Sequence, residues 1–167
     1  MNKAIFFDRD GTLNVEVGYL HEFEKFKWIE GAIEAVKFCN DNDYLAIVVT
    51  NQSGVARGYY TEADIIELHQ NMNEELKSHG AHIDDFFYCP HHTEGVVAEY
   101  SIDCECRKPK PGLVETACKK YDIDKSKSLM IGDKTRDVEC AINAGVRGVL
   151  FNEDNLLSVL KRALNQL

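Results

Sequence analysis

Hydrophobic positions fall in two rhythms along this chain, short unbroken apolar runs and longer stretches with a helical period. Ala4-Ile5-Phe6-Phe7 is too short for a helix and shows no alternation, which is the pattern of a strand covered on both faces. Leu45 to Thr50 repeats it, and Asp85 to Tyr88, Ser128 to Ile131 and Gly148 to Phe151 give three more candidate strands. Between these runs apolar residues recur every three or four positions. Ala32, Ala35, Val36 and Cys39 predict a helix over 32–42, stopped by Asp41-Asn42-Asp43. Ile65, Leu68, Met72 and Leu76 predict one capped by Thr61 and running to about His79, with Gly80 beyond its end. Leu113, Val114, Ala117 and Cys118 predict a helix that Pro111 opens and that runs through Tyr121. A further helix spans Thr135 to Ala144 before Gly145, and Leu156, Leu157, Leu160 and Leu164 mark a last amphipathic one. Strand and helix alternate throughout, so the expected fold class is α/β, a doubly wound parallel sheet in one domain over residues 1–167. Asn14 to Phe26 breaks the rhythm, with Gly18, several aromatics and no period, and reads as a hairpin-like flap over the strand ends.

The polar residues that close the strand runs carry the chemistry. The first run ends in Asp8-Arg9-Asp10-Gly11-Thr12, two carboxylates separated by one residue with a glycine that permits a sharp turn. In open α/β sheets ligands bind outside the carboxyl ends of the strands, so an acidic pair there points to chemistry more than to an Asx turn. One carboxylate can act as nucleophile and metal ligand while the second handles protons. Thr50 closes the second run, in Thr50-Asn51-Gln52-Ser53-Gly54, and offers a hydroxyl and loop amides to an anion. Lys108, in Arg107-Lys108-Pro109, stands just before a helix start, and Asp133 follows the fourth strand and makes with Asp8 a hard-oxygen site suited to Mg²⁺. Taken alone, each has a plain structural explanation: β propensity for Thr50, an exposed basic run for Lys108, a helix cap for Asp133.

Composition narrows the function. The chain has 167 residues, is 44% hydrophobic and carries a formal charge of −9, which weighs against nucleic acid or an anionic membrane as the main partner. Met1-Asn2-Lys3 leads straight into the first strand and no apolar run approaches the ~20 residues of a membrane span, so a cytoplasmic protein is expected. In a reducing compartment clustered cysteines bind metal more often than they pair. Cys89-Pro90-His91-His92 and Cys104-Glu105-Cys106 bracket a long loop, and three thiolates with one imidazole match a closed, structural zinc site. A loop with so little apolar content would gain from metal the order that a core supplies elsewhere. Cys39, Cys118 and Cys140 fall on inward helix faces as core residues, while His69 and His79 read as packing or solvated side chains.

The four motifs, in this order and each at a strand end, resemble the haloacid dehalogenase superfamily, whose members are mostly magnesium-dependent phosphohydrolases. That resemblance implies Asp8 as the nucleophile that forms an aspartyl-phosphate and Asp10 as the group that protonates the leaving oxygen and then activates water. It implies Thr50 and Lys108 as holders of the phosphoryl group, Mg²⁺ bound by Asp8, Asp133 and the carbonyl of Asp10, and Asp137 in support. The zinc loop directly before Arg107-Lys108 resembles the capless, zinc-loop branch of that superfamily, which acts on heptose bisphosphate and on histidinol phosphate. In that branch Cys89, His91, Cys104 and Cys106 would be the zinc ligands, with His91 chosen over His92 by the family pattern. Ser53 stands where the histidinol-phosphate enzymes typically carry an acid for an amine-bearing substrate, which favours a sugar bisphosphate. By the same resemblance Arg107 and Lys134 would contact the far phosphate or the hydroxyls, Thr50, Asn51, Gln52 and Ser53 would line the pocket, and Glu16, Val17, Gly18 and Tyr19 would close it. The expectation is a monomer acting on a small phosphorylated sugar, with no nucleic-acid or membrane partner. The chain departs from the branch in its short Leu-rich end after Phe151. Receiver domains of signalling proteins share the phosphorylated Asp, the Thr and the Lys but have no need of Asp10.

Overall fold

The computed structural model describes residues 1–152 and 155–165. Strands β1 (Lys3–Phe7), β2 (Tyr44–Asn51), β3 (Asp85–Cys89), β4 (Leu129–Gly132) and β5 (Arg147–Leu150) form one parallel sheet in the order β3-β2-β1-β4-β5. Helices α1 (Ala32–Asp41), α2 (Glu62–Ser78), α3 (Gly112–Tyr121), α4 (Thr135–Ala144) and α5 (Leu156–Leu164) make the connections and cover the sheet. Phe7 lies opposite Val48 on one side and Ile131 on the other, so β1 is central and the carboxyl ends of β1, β2 and β4 meet. The strand order reverses beside β1, which places the ligand crevice of such sheets just beyond Phe7.

The apolar runs lack alternation because both faces of the sheet are covered. Ile5 and Phe7 pack with Ala35, Val36, Met72, Leu156 and Leu160, whereas Ala4 and Phe6 pack on the other face with Val114, Ala117, Cys140 and Ala141. Cys39, Cys118 and Cys140 are buried core residues, as expected from their helix faces. On α5, Val159 and Ala163 complete the buried face, and Leu157 and Leu164 sit at its margin.

Local signals set the helix ends. Thr61 caps α2 reciprocally: its hydroxyl accepts from the Asp64 amide at 3.2 Å, and the Asp64 carboxylate accepts from the Thr61 amide at 2.9 Å. Gly145 closes α4 in the left-handed conformation, at φ 81°. Pro111 proves to be the cap of α3 rather than its first helical residue, because the Gly112 amide is drawn outward onto the Glu105 carbonyl at 3.1 Å. The flap is hairpin-like only at its base. Val15 donates to Lys27 and Ile29 to Leu13, both at 2.9 Å, around the antiparallel bridge Asn14–Trp28. Beyond that, Gly18 and Tyr19 take consecutive positive φ values of 77° and 52°, and one 3₁₀ turn, Phe23–Lys25, replaces regular strands. Among the described residues no helix is long and apolar enough to cross a membrane.

Gly132 shows how closely α4 approaches the sheet, since a Cβ there would overlap the Asp137 side chain. Gly132→Ala is expected to lower stability by about 1–3 kcal/mol, the usual cost of forcing extra volume into a packed site. Urea unfolding measures this, and an unchanged midpoint would show that α4 can move away from β4.

Candidate active site

Asp8 is the first residue beyond β1, its amide donating to Ile131 of the neighbouring strand at 3.0 Å. The chain then turns tightly. The Arg9 carbonyl accepts from the amides of Thr12, Leu13 and Asn14, and Gly11 takes φ 89° in a position where a Cβ would strike the Asp133 carboxylate. This turn brings Asp8, Asp10 and Asp133 to one place.

Beneath them lies Lys108, 2% exposed. Its ammonium lies 2.7 Å from Asp8 Oδ1 and 2.7 Å from Asp137 Oδ1, and donates to the Val49 carbonyl at 2.9 Å. Asn51 at the end of β2 holds the Lys108 backbone from both sides: its carbonyl oxygen accepts from the Lys108 amide at 2.9 Å and its amide donates to the Lys108 carbonyl at 3.2 Å. Burial works against the lysine charge, but Asp8 and Asp137 outweigh it and hold its pKa above the ordinary value. Burial is also the largest influence on Asp8, and it keeps that carboxyl well above the usual carboxylate range although Lys108 pulls the other way.

Carboxylate oxygens of Asp8, Asp133 and Asp137 all come within 4.8 Å of one another. Three hard-oxygen donors this close suit Mg²⁺, and a cation there would return Asp8 to its ionised form. Asp137 already holds Lys108 on one oxygen and the Lys134 amide on the other, at 3.0 Å, which leaves it a supporting position. Thr12 Oγ1 donates to Asp133 at 3.4 Å.

Asp10 accepts from several donors at once. Asn14 reaches Oδ1 at 2.9 Å, Gln52 reaches Oδ2 at 3.1 Å, and Arg9 grips both oxygens at 3.1 Å each. Gln52 also donates to Thr50 Oγ1 at 2.9 Å, and Tyr60 fixes its amide by donating to Oε1 at 2.6 Å. Gln52 thus joins the second acid to the strand-ending threonine.

Above these groups opens a cleft of about 340 Å³ lined by Asp8, Asp10, Glu16, Gly18, Tyr19, Thr50, Asn51, Gln52, Ser53, Arg57, Tyr60, Arg107, Lys134 and Arg136. Most of the residues singled out from sequence therefore meet here. Val17 does not; it is half-exposed and lines a separate groove with Leu20, His21 and Lys25. Lys108, Asp133 and Asp137 lie below the cleft lining, against Asp8. The flap rests on the segment after β2 through Tyr19 against Tyr59 and His21 against Tyr60. Arg57 and Arg136, each three or four residues beyond a sequence-predicted site residue, join the lining without a sequence signal of their own. Arg57 Nε and Arg107 Nη1 are buried with no hydrogen-bond partner among the described residues. Burial lowers the Arg107 pKa, and the nearby positive charges of Arg136 and Arg57 lower it further. Arg9, Tyr60 and His69 are also additions. For Arg9 a signal was present, a cation enclosed between two acids at the end of a wholly buried run.

In the long loop, the sulfurs of Cys89, Cys104 and Cys106 lie 2.9–3.5 Å apart, and His91 Nδ1 lies 3.6 and 3.4 Å from Cys89 and Cys106. Zinc–sulfur bonds of about 2.3 Å separate tetrahedral ligands by about 3.7 Å, so the cluster has the donor set and nearly the dimensions of a closed zinc site. The Cys106 sulfur and burial push the Cys89 thiol far up, an electrostatic conflict that a cation among the sulfurs removes. His92 stands apart, its Nδ1 accepting from the Glu94 amide at 3.0 Å and its Nε2 3.3 Å from Arg57 Nη2.

Residues 105–155 match the HAD-hydrolase-like family. The chain is 47% identical to D-glycero-beta-D-manno-heptose-1,7-bisphosphate 7-phosphatase of Haemophilus influenzae, over 88% of this chain and 79% of that one. It is 45% identical to the D-glycero-alpha-D-manno-heptose-1,7-bisphosphate 7-phosphatase of Photorhabdus laumondii, over 86% and 79%. The structure matches that of the D,D-heptose 1,7-bisphosphate phosphatase of B. bronchiseptica, complexed with magnesium and phosphate, with a TM-score of 0.85, 27% identity and 99% of each chain covered. Identity at this level over most of both chains, on the same sheet, places the chain in the haloacid dehalogenase-like phosphatases, in the family of the D-glycero-D-manno-heptose-1,7-bisphosphate 7-phosphatases.

Proposed function

We propose that this protein is a magnesium-dependent phosphomonoester hydrolase that removes the 7-phosphate of D-glycero-D-manno-heptose 1,7-bisphosphate through an aspartyl-phosphate on Asp8. One observation carries the reading: a single cleft is lined by the paired acids Asp8 and Asp10 and by the cations Arg57, Arg107, Lys134 and Arg136. A phosphoryl group to be cleaved and a second anion to be held fit that division of charge.

The chain's own groups divide the work. Asp8 attacks phosphorus as the bond to the sugar oxygen breaks, and Asp10 delivers a proton to that oxygen. Asp10 then takes a proton from the water that attacks the aspartyl-phosphate, which releases inorganic phosphate and restores Asp8. Lys108, fixed by Asn51 and Asp137, holds positive charge beside the transferring group, and Thr50 offers its hydroxyl to the phosphoryl oxygens. Asp8, Asp133 and the Asp10 carbonyl would hold Mg²⁺, which would supply Lewis-acid neutralisation of the phosphoryl charge. Arg57 and Arg107, with unpartnered buried donors, offer the second phosphate direct hydrogen bonds. Ser53 lines the cleft at the position where, by the family resemblance, a histidinol-phosphate enzyme carries an acid for the amine, which disfavours histidinol phosphate. Asp10, positioned for rapid turnover of the acyl-phosphate, disfavours a receiver that stores a signal.

Phosphate release with Mg²⁺ or chelator, from both anomers of the heptose bisphosphate and from histidinol phosphate, tests the assignment. The expected outcome is metal-dependent turnover with a kcat/KM for one heptose anomer at least about tenfold above that for histidinol phosphate, on the order of 1.4 kcal/mol of discrimination. A preference for histidinol phosphate overturns the substrate. Asp8→Asn should lower kcat by more than about 10³-fold while circular dichroism stays unchanged, as loss of a nucleophile does; turnover near that of the parent would remove Asp8 from that role. Metal analysis should find one zinc per chain, and stripping it should lower the melting temperature and expose the segment from Cys89 to Cys106 to protease. An unaltered melting curve in zinc-free protein would dismiss the structural metal.

A further inference from the structure

Arg9, which stands between the two acids of the site in the sequence, is fully buried. A guanidinium in that position is costly to desolvate unless its donors are matched, and here they are. Nε and Nη2 grip the Asp10 carboxylate, Nη2 also donates to the Leu20 carbonyl of the flap at 3.0 Å, and Nη1 lies 3.2 Å from His69 Nε2. A guanidinium has no acceptor, so His69 Nε2 must accept, and the neutral ring carries its proton on Nδ1. The surroundings enforce this state: burial, and then the Arg9 charge, press the His69 pKa well below its ordinary value. The ring is stacked on Phe86 of β3, 4.2 Å between centroids and 11° from parallel. Helix α2 and strand β3 together therefore support a guanidinium that touches the second acid.

Asn14 and Gln52 already bond the Asp10 oxygens. What Arg9 adds is a planar, two-pronged grip that sets the tilt of the carboxylate, and tilt decides whether a proton can reach the leaving oxygen. We infer that Arg9 is a positioning residue for the acid–base group Asp10 and that His69, accepting from Nη1, holds Arg9 in the orientation that makes this grip. The inference rests on the reading of Asp10 as the proton donor to the leaving group.

A leaving-group comparison tests it. An alkoxide leaves poorly without a proton, whereas p-nitrophenolate leaves without one. Single-turnover release of the leaving group is measured from the sugar phosphate and from p-nitrophenyl phosphate for Asp10→Asn, Arg9→Lys, His69→Phe and His69→Gln. Asp10→Asn is the reference and should slow the sugar ester on the order of 10²-fold or more while affecting the aryl ester far less. Arg9→Lys, which keeps the charge but loses the fork, and His69→Phe, which keeps the stacking but loses the acceptor, should slow the sugar ester about tenfold or more with the aryl ester within about threefold. His69→Gln, which again presents an acceptor, should recover most of that loss. Equal losses on both esters, or no loss, in the Arg9 and His69 variants overturn the inference while Asp10→Asn still discriminates. If Asp10→Asn does not discriminate, the reading of Asp10 fails and the inference with it. Should His69→Phe not fold, Arg9→Lys reports the same selectivity.

Discussion

The site depends on one buried ammonium. Lys108 lies between Asp8 and Asp137 at 2.7 Å from each, with the Val49 carbonyl as a third partner. A buried charge costs several kcal/mol in desolvation, and only close, multiple partners offset it. Those partners come from the end of β1, from β2 and from α4, so the charge cannot be accommodated unless all three arrive together. Asn51 holds the Lys108 backbone, and Gly132 leaves the space that Asp137 occupies. The packing of α4 on the sheet and the placement of Asp8 are therefore a single requirement.

Charge is treated differently in the two parts of the cleft. Near Asp8 and Asp10 the titratable groups have close partners, and Asp10 carries more donors than a surface carboxylate would collect. Around Arg57, Arg107 and Arg136 positive charges crowd together, and two buried guanidinium nitrogens have no acceptor among the described residues. Crowded cations without counterions are destabilising in the free protein and become favourable when an anion enters. The two parts of the cleft thus differ in how far the protein compensates its own charge.

Much of this was legible in the sequence because its causes are local. An apolar run without alternation requires cover on both faces, and the packing of Ile5 and Phe7 against one set of helices and Ala4 and Phe6 against another is that cover. Helix faces such as Ala32, Ala35, Val36 and Cys39 follow from the 3.6-residue period alone. Asp8, Asp10, Thr50 and Asp133 could be found because a parallel sheet gathers its strand ends in one place, and Lys108, which lies in the loop before α3, because it stands in a recognisable motif. The paired cysteine clusters could be found because few other arrangements of thiols and imidazole are stable in a loop with so little core.

Tertiary structure decided what depends on distance across the fold. Whether Arg9 is a surface charge or a buried fork is settled by His69 and Phe86, sixty and more residues away and brought beside it by α2 and β3. The same holds for Arg57 and Arg136, whose neighbourhood with Arg107 arises only when the loop after β2 and the start of α4 close over one cleft. Val17 turned away from that cleft because two consecutive left-handed residues, Gly18 and Tyr19, set the course of the flap, and no periodic pattern encodes such a turn. The sequence by itself determined the sheet, its covering helices and the chemical groups at the strand ends, since periodicity and burial act within each element. Only the tertiary structure decided which charges are paired and which are left without an acceptor among the described residues, because Coulomb and hydrogen-bond energies depend on separations of a few ångströms between residues far apart in the chain.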